Sequence, residues 1–163
     1  MEAFDLASET YVAPVTEEQF EEAVKTLDPT KPTDVATQGK ARTEQAFLRN
    51  YLFKGKKKGI CGICGREFPV KFLTAAHIKK RAQCDEVERL DYQHIVMPMC
   101  KLGCDDLYEK GYIRVVNGKV ELSRGKETTQ PIESYLESIK GKACKYWKEG
   151  TANYFQWHNQ THS

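Results

Sequence analysis

No stretch of this 163-residue chain comes near the roughly 20 consecutive apolar residues that a membrane-spanning helix needs. The first residues, MEAFDLASET, lack both the basic start and the apolar run of a secretory signal. These two absences argue against a membrane partner and predict a cytoplasmic, reducing setting. In such a setting cysteines serve as metal ligands rather than pairing as disulfides. The chain has no internal repeat and no low-complexity segment, which leaves no basis for a repeat array. What remains is long enough for one domain with its own core plus appended segments. At 40% hydrophobic and 29% charged residues, its composition is that of a soluble globular protein.

The formal net charge of +2 conceals an asymmetry. Residues 1–35 carry nine acids against Lys25 and Lys31, whereas residues 54–81 carry nine bases against Glu67 alone. The basic block comprises Lys54, Lys56, Lys57, Lys58, Arg66, Lys71, Lys79, Lys80 and Arg81, and a block of that kind suits contact with phosphate. Taken alone, Lys56, Lys57 and Lys58 read equally well as a solvated loop. Their position beside the cysteine-rich stretch favours the phosphate reading.

Two cysteine pairs, Cys61/Cys64 and Cys100/Cys104, bracket 35 residues. A C-x2-C turn bends the backbone so that two thiolates converge, and Gly62 and Gly65 permit that turn. With C-x3-C as the second pair, the four thiolates complete a tetrahedral Zn²⁺ shell with no position left for substrate, so the predicted zinc is structural. Cys84 and Cys144 lack partners at ligand spacing and read as ordinary thiols. A two-zinc RING module would need eight ligands, and the cysteines and histidines here fall at the wrong spacing for it.

Periodicity supplies the remaining elements. Thr16-Glu-Glu-Gln19 predicts a capping box, with Phe20, Ala23, Val24 and Leu27 on one helical face and Asp28-Pro29 as the stop. Residues 29–39 read as a linker and residues 40–53 as a second helix, whose Arg42 and Arg49 could reach phosphate. Residues 70–78 predict a first strand, 79–91 a long loop, 93–99 a second strand, and 104–110 a helix with Gly111 as its C-cap. Asn117-Gly118 between two alternating runs predicts a hairpin. Residues 131–139 predict another helix, and the aromatic tail with Tyr146, Trp147, Tyr154, Phe155, Trp157 and His158 is expected to pack back on the core.

Cys61-Gly-Ile-Cys64, Ala75-Ala-His-Ile-Lys-Lys80, and Met99-Cys100 through Cys104-Asp-Asp-Leu-Tyr-Glu-Lys-Gly-Tyr-Ile113 together resemble HNH endonucleases of the ββα-metal (His-Me finger) superfamily, over residues 59–116. The resemblance implies an α+β fold: a ββα-metal core stapled by zinc, with flanking N- and C-terminal helices and a β-hairpin. It implies three segments: an acidic helix and linker over 1–39, the nuclease core over 40–122, and a C-terminal helix and tail over 123–163. His77 matches the general base, and a neutral imidazole takes a proton readily near neutral pH. Asp105 falls where the family places a metal ligand at the helix start; a carboxylate there suits Mg²⁺ or Mn²⁺, and Glu109, four residues on, shares its helix face. His94 replaces the family's asparagine, so orientation of the base, metal ligation and a structural role are all open to it. Ala76 stands where many relatives carry a further metal ligand.

The implied activity is hydrolysis of double-stranded DNA, possibly of restriction type, with Lys79, Lys80, Arg81 and Lys56, Lys57, Lys58 on the backbone. A homodimer is expected if both strands are cut, and the implied setting is intracellular, bacterial or phage-type. The alternative is a catalytically silent zinc module that only binds nucleic acid.

Overall fold

A computed structural model describes residues 14–27, 30 and 35–162. The expectations for residues 1–13, for the Asp28-Pro29 stop and for residues 31–34 of the linker lie outside the described residues. The chain divides into two units, Met1–Phe47 and Leu48–Ser163. Among the described residues it is a mixed α+β structure with three two-stranded antiparallel sheets and seven α-helices. No helix there is long and apolar enough to cross a membrane.

In the first unit the capping box forms as expected. Thr16 accepts from the Gln19 amide at 3.2 Å while the Gln19 side chain accepts from the Thr16 amide at 2.9 Å, opening α1 (Glu17–Thr26). Its buried face is Phe20, Ala23 and Val24, and Phe20 stacks on Phe47 with centroids 4.4 Å apart. The second helix, α2 (Val35–Phe53), begins five residues before the expected Lys40. Val35, Ala36, Thr37 and Gln38 follow the last proline of the linker and carry nothing that forbids a helix, so a single interior glycine, Gly39, does not hold the start back.

Lys54 and Gly55 end α2 in the left-handed region, at φ 42° and 74°. The second unit then opens on a small hairpin, β1 (Lys58–Ile60) with β2 (Glu67–Pro69), wrapped around the first cysteine pair. Cys61 donates to the Arg66 carbonyl and Gly65 to the Cys61 carbonyl, both at 3.0 Å, with Gly65 at φ 69°.

After a 3-10 turn at Val70–Phe72, β3 (Leu73–His77) starts three residues later than expected at 70. It pairs with β4 (Val96–Cys100) in a register running from Leu73↔Cys100 to His77↔Val96. The intervening segment is not the loop that its lack of periodicity predicts. It holds a 3-10 turn at Arg81–Gln83, then α3 (Glu86–Leu90) and α4 (Tyr92–Ile95), so the second strand begins at Val96 rather than 93. Asp85 and Glu88 form a reciprocal capping box that starts α3, a local signal that outweighs the polar composition.

All five residues of β4 are buried, and Met97 and Met99 are inaccessible to solvent. Each such side chain contributes about 1.5–3 kcal/mol of burial. From there the chain enters α5 (Cys104–Glu109), and Gly111 closes it at φ 75°. The Asn117-Gly118 hairpin forms between β5 (Ile113–Val116) and β6 (Lys119–Leu122), with both turn residues at positive φ. Two helices complete the unit, α6 (Gln130–Ile139) with Pro131 in its first turn and α7 (Ala152–Thr161). The aromatic tail packs inward through Tyr154 and Phe155, whereas Trp147 stays 39% exposed.

Candidate metal centre

The short β1–β2 hairpin presents Cys61 and Cys64, and the end of β4 with the start of α5 presents Cys100 and Cys104. All four are buried, and their sulfurs lie within 4.8 Å of one another. A Zn–S bond of about 2.3 Å in a tetrahedron puts sulfurs about 3.8 Å apart, so this spacing accepts the ion with only slight contraction. All six cysteines are free thiols. Four thiols buried together without disulfide bonds call for a metal, because donation among themselves cannot satisfy them all. Cys104, then Cys61 and Cys64, hold the Cys100 thiol well below the usual range, while Cys100 in turn pushes Cys104 up. The residues fit a structural zinc.

Second-layer donors surround the centre. The amides of Ile63 and Cys100 point at Cys61 Sγ at 3.4 and 3.3 Å. From α6, the Tyr135 hydroxyl lies 3.0 Å from Cys104 Sγ and 3.4 Å from Cys100 Sγ. Gly103 makes room for that ring, since a Cβ there would sit 2.8 Å from Tyr135 Cζ. Lys142 Nζ donates to the Cys64 carbonyl at 2.8 Å. Sequence pattern identified the ligands but not Tyr135. Its only signal was a place on an apolar helix face beside Ile132 and Leu136.

His77 ends β3, opposite Val96. It is half-buried, with Nε2 shielded from solvent. Next to it, the Ile78 carbonyl accepts from Tyr108 of α5 at 2.7 Å, which fastens the helix to the end of the strand. Asp105, one turn earlier on α5, is half-buried, and its carboxyl is raised by burial first and then by Glu109 and Asp106. Thr74 of β3 lies within hydrogen-bonding reach and offsets part of that rise. A carboxyl whose negative neighbours outweigh its donors is one that a cation would stabilise. Glu109 is exposed, and Asp106 pairs with Lys110 at 3.2 Å on the surface. Among the described residues no second group of three His, Cys, Asp or Glu side chains converges.

His94 is built into a tie between helices. Its Nδ1 meets Asp91 Oδ1 at 2.7 Å, and Asp91 Oδ2 accepts from Tyr154 of α7 at 2.6 Å. The ring lies against Gly150, where a Cβ would come within 2.5 Å of His94 Cδ2. Neither Asp91 nor Tyr154 stood out in the sequence, because only the fold brings them together across 63 residues.

The basic residues divide by environment. Lys79 donates to both oxygens of Glu88 at 3.0 and 2.9 Å and sits over Trp157, so its charge is matched within the protein. Lys80 is exposed, Arg81 is half-buried, and Lys56, Lys57 and Lys58 are all exposed, with Lys58 opening β1. Arg49 is turned inward, donating to the carbonyls of Leu73 and Val70 at 2.5 and 3.0 Å, and so pins the segment leading into β3. No protein-family model and no curated protein matches the chain, so the four-cysteine centre and its surroundings stand on their own geometry.

Proposed function

We propose that the protein is a metal-dependent endonuclease of the HNH type acting on DNA, its fold held by a structural zinc. The observation that carries this reading is the succession of an antiparallel pair and a helix. His77 closes β3, β4 runs back beside it, and α5 brings Asp105 against Thr74 of the same strand. In this mechanism His77 accepts a proton from a water molecule as the water oxygen attacks phosphorus. The P–O bond to the 3′-oxygen breaks, leaving a 5′-phosphate and a 3′-hydroxyl. A divalent cation such as Mg²⁺ or Mn²⁺, held by Asp105 with Glu109 in reserve, would supply Lewis-acid polarisation of the phosphate. Lys80 and Arg81 follow His77 directly and orient the backbone by charge.

A second reading, a zinc module that binds nucleic acid without cutting it, is favoured by the shielded Nε2 of His77 and by the sparse carboxylate set on α5. Supercoiled plasmid separates the two. Wild-type protein with Mg²⁺ or Mn²⁺ is expected to produce nicked or linear DNA, and His77→Ala to lower the rate by at least the 10²-fold typical of a lost general base. Persistent DNA binding with no cleavage by either protein would leave the silent module as the better account.

A further inference from the structure

Four cations from widely separated positions meet at the C-terminal end of α7, and no part of the mechanism above uses them. His162 caps that helix, with its amide bonded to the His158 carbonyl at 3.1 Å and its ring 4.5 Å from the His158 ring. On its other side the His162 ring lies directly against Gly111, where any Cβ would collide with it. The charges felt by His162 are Lys126, Lys80 and Arg114, and all of them are positive. Lys126 reaches in from the loop after β6, its Nζ donating to the Lys110 carbonyl at 3.2 Å above the Tyr112 ring. Arg114 comes from β5, and its buried Nε has no hydrogen-bond partner. Among the described residues no carboxylate pairs with Lys80, Arg114, Lys126 or His162.

We propose that Lys80, Arg114, Lys126 and His162 form a seat for one backbone phosphate of duplex DNA, apart from the scissile position. Charge balance decides against a purely structural role. The end of a helix carries roughly half a negative charge, which one cation satisfies, whereas three permanent cations converge here. A buried guanidinium nitrogen without an acceptor costs stability unless an acceptor arrives. A phosphate supplies both the charge and the acceptor oxygens. The seat rests on the nucleic-acid partner of the function proposed above but not on its chemistry, so it can stand if cleavage fails.

The test is fluorescence anisotropy with a labelled 20-base-pair duplex and the zinc-loaded full chain, without added Mg²⁺ or Mn²⁺, over a range of salt concentrations. Lys80→Gln/Lys126→Gln changes two exposed side chains and does not threaten the fold. Arg114→Gln is read only after its melting curve shows a folded protein. Each lost contact should lower the slope of log affinity against log salt by about 1. The affinity should fall several-fold and equally on unrelated sequences. The seat is overturned if the double variant keeps the wild-type slope and affinity, if the wild-type chain does not bind duplex, or if it binds phosphatidylserine vesicles and not duplex. Loss of plasmid cleavage by His77→Ala with an unchanged salt slope keeps the two proposals separate.

Discussion

The hydroxyl of Tyr135 lies 3.0 Å from the sulfur of Cys104 and 3.4 Å from that of Cys100, so one phenol on α6 serves two ligands of the metal centre. Once the thiols are ionised by zinc, the phenol is the donor and the sulfurs accept. Groups of this kind hold ligands in place and withdraw charge from them.

Tyr135→Phe removes that donor and keeps the ring over Gly103. The variant should still bind one zinc, but release it about 10- to 100-fold more readily to a competing chelator, the range seen when partners of metal ligands are lost. A chromogenic zinc-release assay reads this directly. A release rate equal to wild type would mean that the phenol does not support the thiolates.

Removing the zinc should unfold far more than the β1–β2 hairpin. The centre joins that hairpin to the end of β4 and the start of α5. The hairpin itself offers only three paired positions, too few to persist alone in water. A strong chelator should therefore abolish the cooperative thermal transition seen by circular dichroism, and Cys104→Ala should not refold on addition of zinc. Elemental analysis of the purified chain should find about one zinc per chain, as a single four-thiolate centre requires.

His158 gives the protein an acid limit. It is 97% removed from solvent, stacks on Tyr108 at 3.7 Å and donates from Nε2 to the Tyr108 carbonyl at 2.6 Å, which fixes the neutral tautomer with Nδ1 bare. Burial, with the cations Arg114 and His162 adding to it, lowers its pKa from 6.5 to about 4. Between those values the unfolded chain binds the proton and the folded chain does not, so the contribution is fully present above pH 6.5 and is lost as the pH falls toward 4. The loss amounts to on the order of 3 kcal/mol over that window. Urea midpoints for wild type should fall between pH 7 and 5, and His158→Phe should flatten part of that fall. Parallel profiles for the two proteins would remove His158 as the source.

The parts of the fold legible in the sequence are those set by local chemistry. Thr16 with Gln19, Asn117 with Gly118, Pro131 at a helix start and Gly111 at a helix end each mark a boundary within a few residues. The four zinc ligands were legible for the same reason, since spacing alone places two thiolates on one turn. The segment from 79 to 91 was misread because its short helix depends on an Asp85–Glu88 capping box inside a polar run, where hydrophobic period has nothing to report. Tyr135, Asp91 and Tyr154 escaped notice for a different reason. Their roles come from partners 31 and 63 residues away, and no local pattern encodes a distance across the fold.

The division of the metal centre between two distant pairs sets an order of events at synthesis. Cys104 follows Cys64 by 40 residues, and a chain growing at about 5–20 residues per second needs roughly 2–8 s to cover that distance. Throughout that interval the first knuckle is half a chelate, able to hold zinc by two sulfurs only and open to exchange or oxidation. Arrival of Cys100 and Cys104 closes the shell and in the same step brings β4 alongside β3. Metal capture and formation of the central strand pair are thus one event, and the supply of zinc during those seconds governs how much of the protein matures.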